Sequence, residues 1–496
     1  MSGLAKKLAK GAAWMVLARL VTRGIGVVST LILARILLPE DFGLVAMAMS
    51  VIGLTELLRA FGFDTALIQN QHATRAHYDT AWTFNALLGV ATASAVALLA
   101  WPAAGFYGEA RLQPVMWALA AGIAIQGFEN VGIVDFRKHM QFDREFNFAL
   151  GVKVAGFIAT VAAALWLRNY WALVIGILVS RAWALAASFW MHPYRPRASV
   201  DARRELIGFS KWLLLNNLLL FLKSRASDFV IGRISGARAL GLFNISDEIS
   251  NLPTTEIVMP INRAVYSGYA QIGGDRARLR AGFLNVISVI GAFAMPAGAG
   301  IAAIAALLVP LALGSNWLDA IPLIQILAFY GVVVALQTNT LYVYIALGEP
   351  RTASLLNALH VALLIPALIG STSHAGAVGA AWACLTVAVI TTPVNVAVLM
   401  RRLDLRFTDL LGALWRPLLA AALMFTVVRA VLALSLDVAP SDLGFLPLST
   451  HLALAVASGA ASYALLLSLL WLACGRPPGI ERELIGRLSS VRAFRR

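Results

Sequence analysis

Charged residues are scarce in this sequence. Only 13% of its 496 residues are Asp, Glu, Lys or Arg, whereas 60% are hydrophobic. Soluble domains carry about 25% charged and about 45–50% apolar residues. A water-soluble fold could not bury so much apolar surface, so the composition excludes that class and predicts a protein whose solvent is largely lipid.

Cysteine and the common catalytic motifs are also rare or missing. The chain has two cysteines, Cys384 and Cys474, and seven scattered histidines without an HExxH pattern. This excludes a disulfide framework and the usual zinc spacings. A GxxxxGK[ST] phosphate loop is absent as well, and the longest predicted outer connector runs only from Asp437 to Ser449. Connectors of this length hold no soluble catalytic domain, so we predict that the protein is not an enzyme.

Long apolar segments fill the chain instead. A transmembrane helix needs about 20 mostly apolar residues. The sequence predicts an all-α polytopic membrane protein with about 14 transmembrane helices, numbered here as spans 1 to 14. They lie near 11–37, 43–63, 82–104, 114–134, 148–168, 171–191, 209–232, 240–263, 283–313, 321–347, 352–370, 376–399, 413–436 and 450–474.

The positive charge of the connectors alternates from side to side. With the N-terminus inside, inner connectors and tails hold 24 Lys or Arg and outer connectors hold 4. This bias predicts that both termini are cytoplasmic. It also explains the net charge of +15, so we predict no nucleic-acid partner. The basic tail, Arg476 to Arg496, is expected to anchor the topology and contact anionic lipid.

A short motif recurs in the two halves of the chain. Arg35 and Gly43 stand eight residues apart, and so do Arg233 and Gly241, which follow 198 residues later. Both pairs lie where one span ends outside and the next begins. Duplicated bundles are common in transporters. We therefore predict two six-helix lobes in a pseudo-twofold repeat, 1–204 and 205–400, followed by two C-terminal helices and the basic tail in 401–496.

Several basic residues lie within the predicted spans. A charge at mid-bilayer costs about 2.5–3.5 kcal/mol on insertion scales, so such residues usually face a cavity or a partner. Those near span ends can instead extend to the interface, and Arg19 and Arg23 allow both readings. A cationic cavity would suit an anionic passenger, since Arg binds phosphate or carboxylate with two parallel hydrogen bonds. The candidate binding residues are Arg19, Arg23, Arg59, Lys153, Arg181, Lys223 and Arg225.

Span 8 carries a polar stripe. At about 100° per residue its members fall on one face, and Pro253 and Pro260 interrupt the helix as in a bending gate. The acidic groups could form structural salt bridges, for example Lys223 with Asp247, or a switchable pair or ion site. The stripe comprises Asn244, Asp247, Glu248, Asn251, Thr255 and Asn262, and the coupling or gating candidates are Glu56, Asp228, Asp247, Glu248 and Asn251.

Three stretches carry a family resemblance. They are ARILLPEDFGLVAMAMSVIGLTELLRAFGFDTALIQ (34–69), SDFVIGRISGARALGLF (227–243) and GSNWLDAIPLIQILA (314–328). With GGDRARLRAGFL (273–284), they resemble the Wzx-type polysaccharide-repeat flippases, colanic-acid-like branch, of the multidrug/oligosaccharidyl-lipid/polysaccharide (MOP) exporter superfamily. The resemblance covers about residues 5–410. Leu38 and the stretch after Pro260 depart from the family pattern.

The resemblance implies a two-lobed transporter in the bacterial cytoplasmic membrane. It would move undecaprenyl-diphosphate-linked oligosaccharide to the periplasmic leaflet by alternating access, coupled to H+ or Na+ and without another cofactor. Its partners would be that lipid-linked oligosaccharide and membrane lipids, with a polysaccharide polymerase and export machinery as further candidates, and we expect a monomer. Two alternatives stay open: a MATE-like exporter of small molecules, and a membrane polymerase or ligase.

Overall fold

The computed structural model describes residues 3–56, 63–201, 211–272, 275–435, 440 and 443–475. Helices account for nearly all of these residues, and the described ranges contain no strand. The prediction of an all-α protein is therefore confirmed. The chain divides into two compact units, Met1–Gly241 and Leu242–Arg496. The lobe boundaries at 204 and 400 stay a prediction.

The described part of the first unit contains eight complete helices and the beginning of a ninth. A 3-10 turn, Val131–Ile133, lies between α5 and α6. The helices are α1 Gly3–Ile36, α2 Pro39–Glu56, α3 Phe63–Gln69, α4 Arg75–Tyr107, α5 Leu112–Gly127, α6 Val134–Lys138, α7 Phe142–Leu167, α8 Trp171–Met191 and α9 Lys211–Pro253.

The second unit begins within α9. A π-helical turn, Thr254–Val258, follows α9, and a 3-10 turn, Ser315–Trp317, precedes α12. The remaining helices are α10 Met259–Ile272, α11 Arg276–Ala312, α12 Ala320–Ala346, α13 Pro350–Leu403, α14 Phe407–Ser435 and α15 Phe445–Ala473.

Two of these helices each extend over parts of two predicted spans. In α9 the backbone leaves helical geometry at Gly236, whose φ is 80°, between spans 7 and 8. In α13 it does so at Ala375 and Gly376, between spans 11 and 12. Counted in this way, the 14 long helical stretches correspond to the predicted spans.

Length and apolarity alone give a smaller number of spans. In the described ranges, nine helices are long and apolar enough to cross a membrane, and α5 with α6 would add a tenth span bent by 67°. The second predicted span, α2, fails this test because it carries Glu40, Asp41 and Glu56. The predicted span, 43–63, begins after Glu40 and Asp41 and extends beyond the described part of this helix.

Aromatic and small apolar side chains pack α1 against α7 in the first unit. Trp14 of α1 and Phe146 of α7 lie with ring centroids 5.2 Å apart, and further along Leu33 packs in one cluster with Ala163 and Ala164. The order of these contacts along both helices shows that α1 and α7 run in the same direction. The predicted topology requires this of spans 1 and 5. Helix α7 then packs against α8.

In the second unit α11 is the helix on which the C-terminal pair packs. Met295 and Ala299 of α11 share a buried cluster with Met424 of α14 and Ala455 of α15. The Tyr463 hydroxyl of α15 donates a 2.8 Å hydrogen bond to the Ala292 carbonyl. Spans 13 and 14 are thus integrated into this unit by both apolar burial and a polar contact.

Candidate functional site

The contact between α1 and α7 brings candidate cations together. Lys153 Nζ of α7 lies 3.6 Å from the position that a Cβ on Gly26 of α1 would occupy. Arg23 lies one turn before Gly26, and Arg19 lies one turn earlier, so all three share one side of α1. Both arginines are half-buried and Lys153 is exposed. We call these residues the α1–α7 cationic seam.

The remaining cations are more scattered. Arg181 of α8 packs its stem against α5, with Cγ 3.8 Å from the place of a Cβ on Gly122. Lys223 of α9 is half-buried. Its suggested pairing with Asp247 stays a prediction. Arg59 lies outside the described residues, as does the side chain of Glu56.

Arg225 and Asp228 of α9 form an ion pair. Arg225 Nη1 donates to Asp228 Oδ2 at 3.0 Å, and the two side chains are 44% and 4% exposed. An ion taken out of water needs such a partner. Tyr107 of α4 feels the Asp228 charge, stacks on Phe229 with centroids 6.4 Å apart, and shares a 2.8 Å hydrogen bond with Ser50 of α2. Asp228 is therefore buried close enough to Tyr107 of α4 for its charge to act on that hydroxyl.

The part of α9 in the second unit has two polar faces. The hydroxyl groups of Ser246 and Ser250 donate to the carbonyls of Ala320 and Ile324 on α12, at 3.5 and 3.3 Å. This face is buried. The predicted stripe occupies the neighbouring face, where Asn244, Asp247, Glu248, Asn251 and Thr255 are half-buried.

Within the stripe, the Asn251 side chain donates to Asp247 Oδ1 at 2.7 Å. The close approach of α12 depends on Gly331, because a Cβ there would lie 3.2 Å from Asn251 Oδ1. Tyr330, the residue before Gly331 in α12, lies close enough to Asp247 to interact with its charge. Asp247 and Asn251 thus form a polar group of their own in the second unit.

Asn262 does not belong to this stripe, so that part of the prediction is wrong. It is 1% exposed and donates to Thr338 Oγ1 of α12 at 2.8 Å. The π turn Thr254–Val258 lies between the stripe and Asn262. A π turn inserts one residue into the helical register, which rotates everything after it by about 100°. The insertion moves Asn262 from the stripe onto the face that packs against α12.

Reasoning from the sequence also missed a polar belt on α12. Gln337 donates to Thr392 Oγ1 of α13 at 2.6 Å. Asn339 donates to the Tyr269 hydroxyl of α10 at 3.3 Å, and Thr340 accepts from Asn395 of α13 at 3.2 Å. The signal was present, since Gln337 to Thr340 is a run of consecutive polar residues inside span 10.

The repeated glycines of the two halves lie against each other. A Cβ on Gly43 would fall 1.7 Å from the Ala237 carbonyl oxygen, and one on Gly241 would fall 1.8 Å from the Pro39 carbonyl oxygen. In each case the atom in the way lies one turn before the other glycine. The repeat found in the sequence therefore marks a reciprocal close contact between two helices.

Comparison with known sequences gives several relatives. WzxC, a lipopolysaccharide biosynthesis protein of Escherichia coli (strain K12), is 27% identical over 84% of this chain and 85% of its own. ExoT of Rhizobium meliloti (strain 1021), a succinoglycan biosynthesis transport protein, is 25% identical over 86% and 87%. TuaB of Bacillus subtilis (strain 168), a teichuronic acid biosynthesis protein, is 23% identical over 94% and 96%.

Solved structures show the same fold. The lipid II flippase MurJ in an inward closed conformation superposes with a TM-score of 0.72 at 12% identity, over 93% of this chain and 99% of its own. An inward-facing MATE multidrug transporter of the MOP superfamily gives 0.55 at 16% identity, over 78% and 99%. The pattern of the polysaccharide biosynthesis protein family matches residues 32–322. The chain belongs to this family and has the fold of MOP-superfamily transporters.

Proposed function

We propose that the protein is a flippase for undecaprenyl-diphosphate-linked oligosaccharide in the bacterial cytoplasmic membrane, with both termini in the cytoplasm. The observation that carries this proposal is the α1–α7 cationic seam, which lies in a membrane protein of a polysaccharide biosynthesis family. The diphosphate is the only strongly anionic part that every such lipid shares, whatever its sugars. Binding it there would explain cations in an otherwise apolar bundle.

The seam offers two kinds of phosphate contact. Arg19 and Arg23 can bind phosphate oxygens with paired hydrogen bonds, and Lys153 adds a mobile point charge. The Lys153 amino group lies against α1 beside Gly26. In this proposal the headgroup binds from the cytoplasmic leaflet, the sugars remain in water, and the lipid tail stays in the bilayer.

Release on the other side requires helices to move and an energy source. The break in α9 at Gly236 and the π turn after it are places where the backbone can bend. Coupling to H+ or Na+ belongs to the proposal, with Asp228 and Asp247 as the carboxylates that would respond. We further propose that the protein works as a monomer and passes its product to a polysaccharide polymerase and export machinery.

The proposal can be tested in a strain from which the gene is deleted. Undecaprenyl-diphosphate glycans should accumulate, and re-expression of the wild type should clear them. The double variant Arg23→Ala/Lys153→Ala should reach the membrane and yet fail to clear them. Arg429→Ala is the matched control, because Arg429 is an exposed arginine within α14 that lies outside the seam.

The other outcomes separate the alternatives. Normal polymer in the deletion strain, with loss of resistance to small toxic compounds, would favour a MATE-like exporter. Glycans that reach the periplasm but stay unpolymerised would favour a polymerase or ligase. Full clearance by the double variant would overturn the role of the seam.

A further inference from the structure

A short extended segment, residues 192–201, is tied down along one end of the first unit. It follows α8 directly and precedes residues 202–210, which lead into α9. We call it the strap. The positive-inside count predicts that it lies on the cytoplasmic side. The proposed transport mechanism uses none of its residues.

Hydrogen bonds hold the strap at several points. The buried carboxylate of Asp79 accepts from the Tyr194 hydroxyl at 2.5 Å and from the Arg197 backbone N–H at 2.9 Å. Thr83 Oγ1 accepts from the Ser199 N–H at 3.0 Å. The fully buried Asn130 amide donates to the Tyr194 carbonyl at 2.7 Å. So many bonds to buried groups indicate a fixed position rather than a loose connector.

His192 stands at the beginning of the strap, with both ring nitrogens engaged. Its Nδ1 accepts the Tyr194 N–H at 3.2 Å, and its Nε2 lies 3.4 Å from Asp135 Oδ2. An accepting Nδ1 has no proton, so the neutral ring carries its hydrogen on Nε2 and points it at Asp135. Tyr78 donates to the other oxygen of the same carboxylate.

Protonation would break this arrangement. A second proton on His192 must go to Nδ1, which then becomes a donor facing the Tyr194 N–H. The ring fills the space beside Gly132, since a Cβ on that glycine would lie 2.2 Å from Nδ1. The first bond of the strap is therefore compatible only with a neutral ring.

We propose that His192 is a proton-operated latch, which holds the strap closed while its ring is neutral and releases it when the ring is protonated. A released strap would lose the hydrogen bonds that fix the segment after α8. Any effect on transport rests on the proposed function, whereas the latch itself does not.

The charges around the ring set the direction of the response. Burial lowers the pKa of His192 below its ordinary value of 6.5; Asp135 opposes this, whereas Arg144 of α7 and Arg195 of the strap act with burial. A lowered pKa means that the closed strap prefers the neutral ring. Its stabilisation is complete above 6.5 and is lost as the pH falls below that value.

Hydrogen exchange tests the latch on the purified full-length protein, without any transport assay. The backbone amides of Tyr194, Arg197 and Ser199 should be protected from exchange at about pH 7.5 and should lose that protection at about pH 5.5. These two pH values lie on either side of the ordinary pKa of histidine. Labelling times are scaled to equalise the chemical exchange rate. Protection that persists at acid pH would overturn the proposal.

Two variants and a control make the test specific. His192→Asn places an acceptor oxygen near the position of Nδ1 and cannot titrate, so the strap should stay protected at both pH values. Gly132→Ala should displace the ring and open the strap at both. His139→Asn is the control, because this 59% exposed histidine lies on the other side of Asp135 and should leave the wild-type response intact.

Each variant can also contradict the latch. Acid release that persists in His192→Asn would assign the response to the aspartates. Loss of protection in His192→Asn at neutral pH would show that the Nδ1 acceptor does not hold the strap. Wild-type behaviour of Gly132→Ala would show that the position of the His192 ring does not matter. Loss of the acid response in His139→Asn would show that His139, and not His192, is the titrating group.

Discussion

The ion pair of Arg225 and Asp228 shows what a single residue does in this protein. The spacing of three residues puts both side chains on one side of α9, so their pairing could be predicted from the sequence. The burial of Asp228 near Tyr107 could not, because Tyr107 is distant in sequence and belongs to another helix. Spacing along the sequence predicts which charged residues pair within one helix. Packing between helices determines which of them is buried away from water.

Neutralising this pair distinguishes a structural role from a functional one. Asp228→Asn alone leaves Arg225 without its carboxylate and should lower stability, since breaking a buried pair costs about 3–5 kcal/mol. The half-exposed arginine reduces that cost. Arg225→Gln/Asp228→Asn should recover most of the lost stability. Thermal unfolding in detergent measures the stability of both variants.

The same double variant should not recover glycan clearance if Asp228 takes part in coupling. Recovery of both stability and clearance by Arg225→Gln/Asp228→Asn would assign the pair a purely structural role. The single variant Asp228→Asn then serves as the reference for how far stability alone limits clearance.

Gly43 gives a second prediction at this scale. Gly43→Ala would place a methyl group 1.7 Å from a backbone oxygen, which only a shift of a helix can relieve. Overpacking of this kind costs about 1–3 kcal/mol, so the melting temperature should fall. Gly105→Ala is the matched control, since nothing lies within 4 Å of its Cβ position. Equal melting temperatures for the two variants would contradict the close contact.

At the scale of the element, the π turn Thr254–Val258 separates what the sequence could predict from what it could not. The stripe from Asn244 to Thr255 is half-buried along one face, as ordinary helical periodicity predicts. Asn262 is misplaced because that periodicity assumes an unbroken register. The two prolines signalled an irregularity near this point but not the insertion of one residue.

Deleting one residue from this turn should restore the α-helical register. We choose Ile257, which is 39% exposed. The deletion should rotate Asn262 away from Thr338 by about 100°. A double-mutant cycle of Asn262→Ala and Thr338→Ala should give a coupling of about 0.6 kcal/mol in the wild type, typical of such bonds in membrane proteins.

In the deletion background that coupling should vanish. The wild-type cycle is its own control, because it uses the same pair of substitutions. An unchanged coupling after deletion would mean that the π turn does not set the register of α10.

At the scale of the whole molecule, the sequence predicted the membrane class, the number of long helices and the family. These depend on apolar length, the distribution of charge and contiguous motifs, all of which are properties of the chain itself. The grouping of intramembrane charges depends instead on which helices pack together. The sequence predicted a single group of basic residues. In the folded chain these residues lie at different places: the α1–α7 cationic seam, Arg181 with its stem packed on α5, and the Arg225–Asp228 pair.

The central claim is that this protein moves a lipid-linked oligosaccharide across the bilayer. The most direct measurement reconstitutes the purified protein in vesicles that contain a fluorescent polyprenyl-diphosphate oligosaccharide. A membrane-impermeant quencher then reports how much of it changes leaflet. We expect wild-type protein to make the inner pool accessible and Arg23→Ala/Lys153→Ala to do so much more slowly. An inner pool that stays as inaccessible as in protein-free vesicles, under an imposed H+ or Na+ gradient of either direction, would contradict the account.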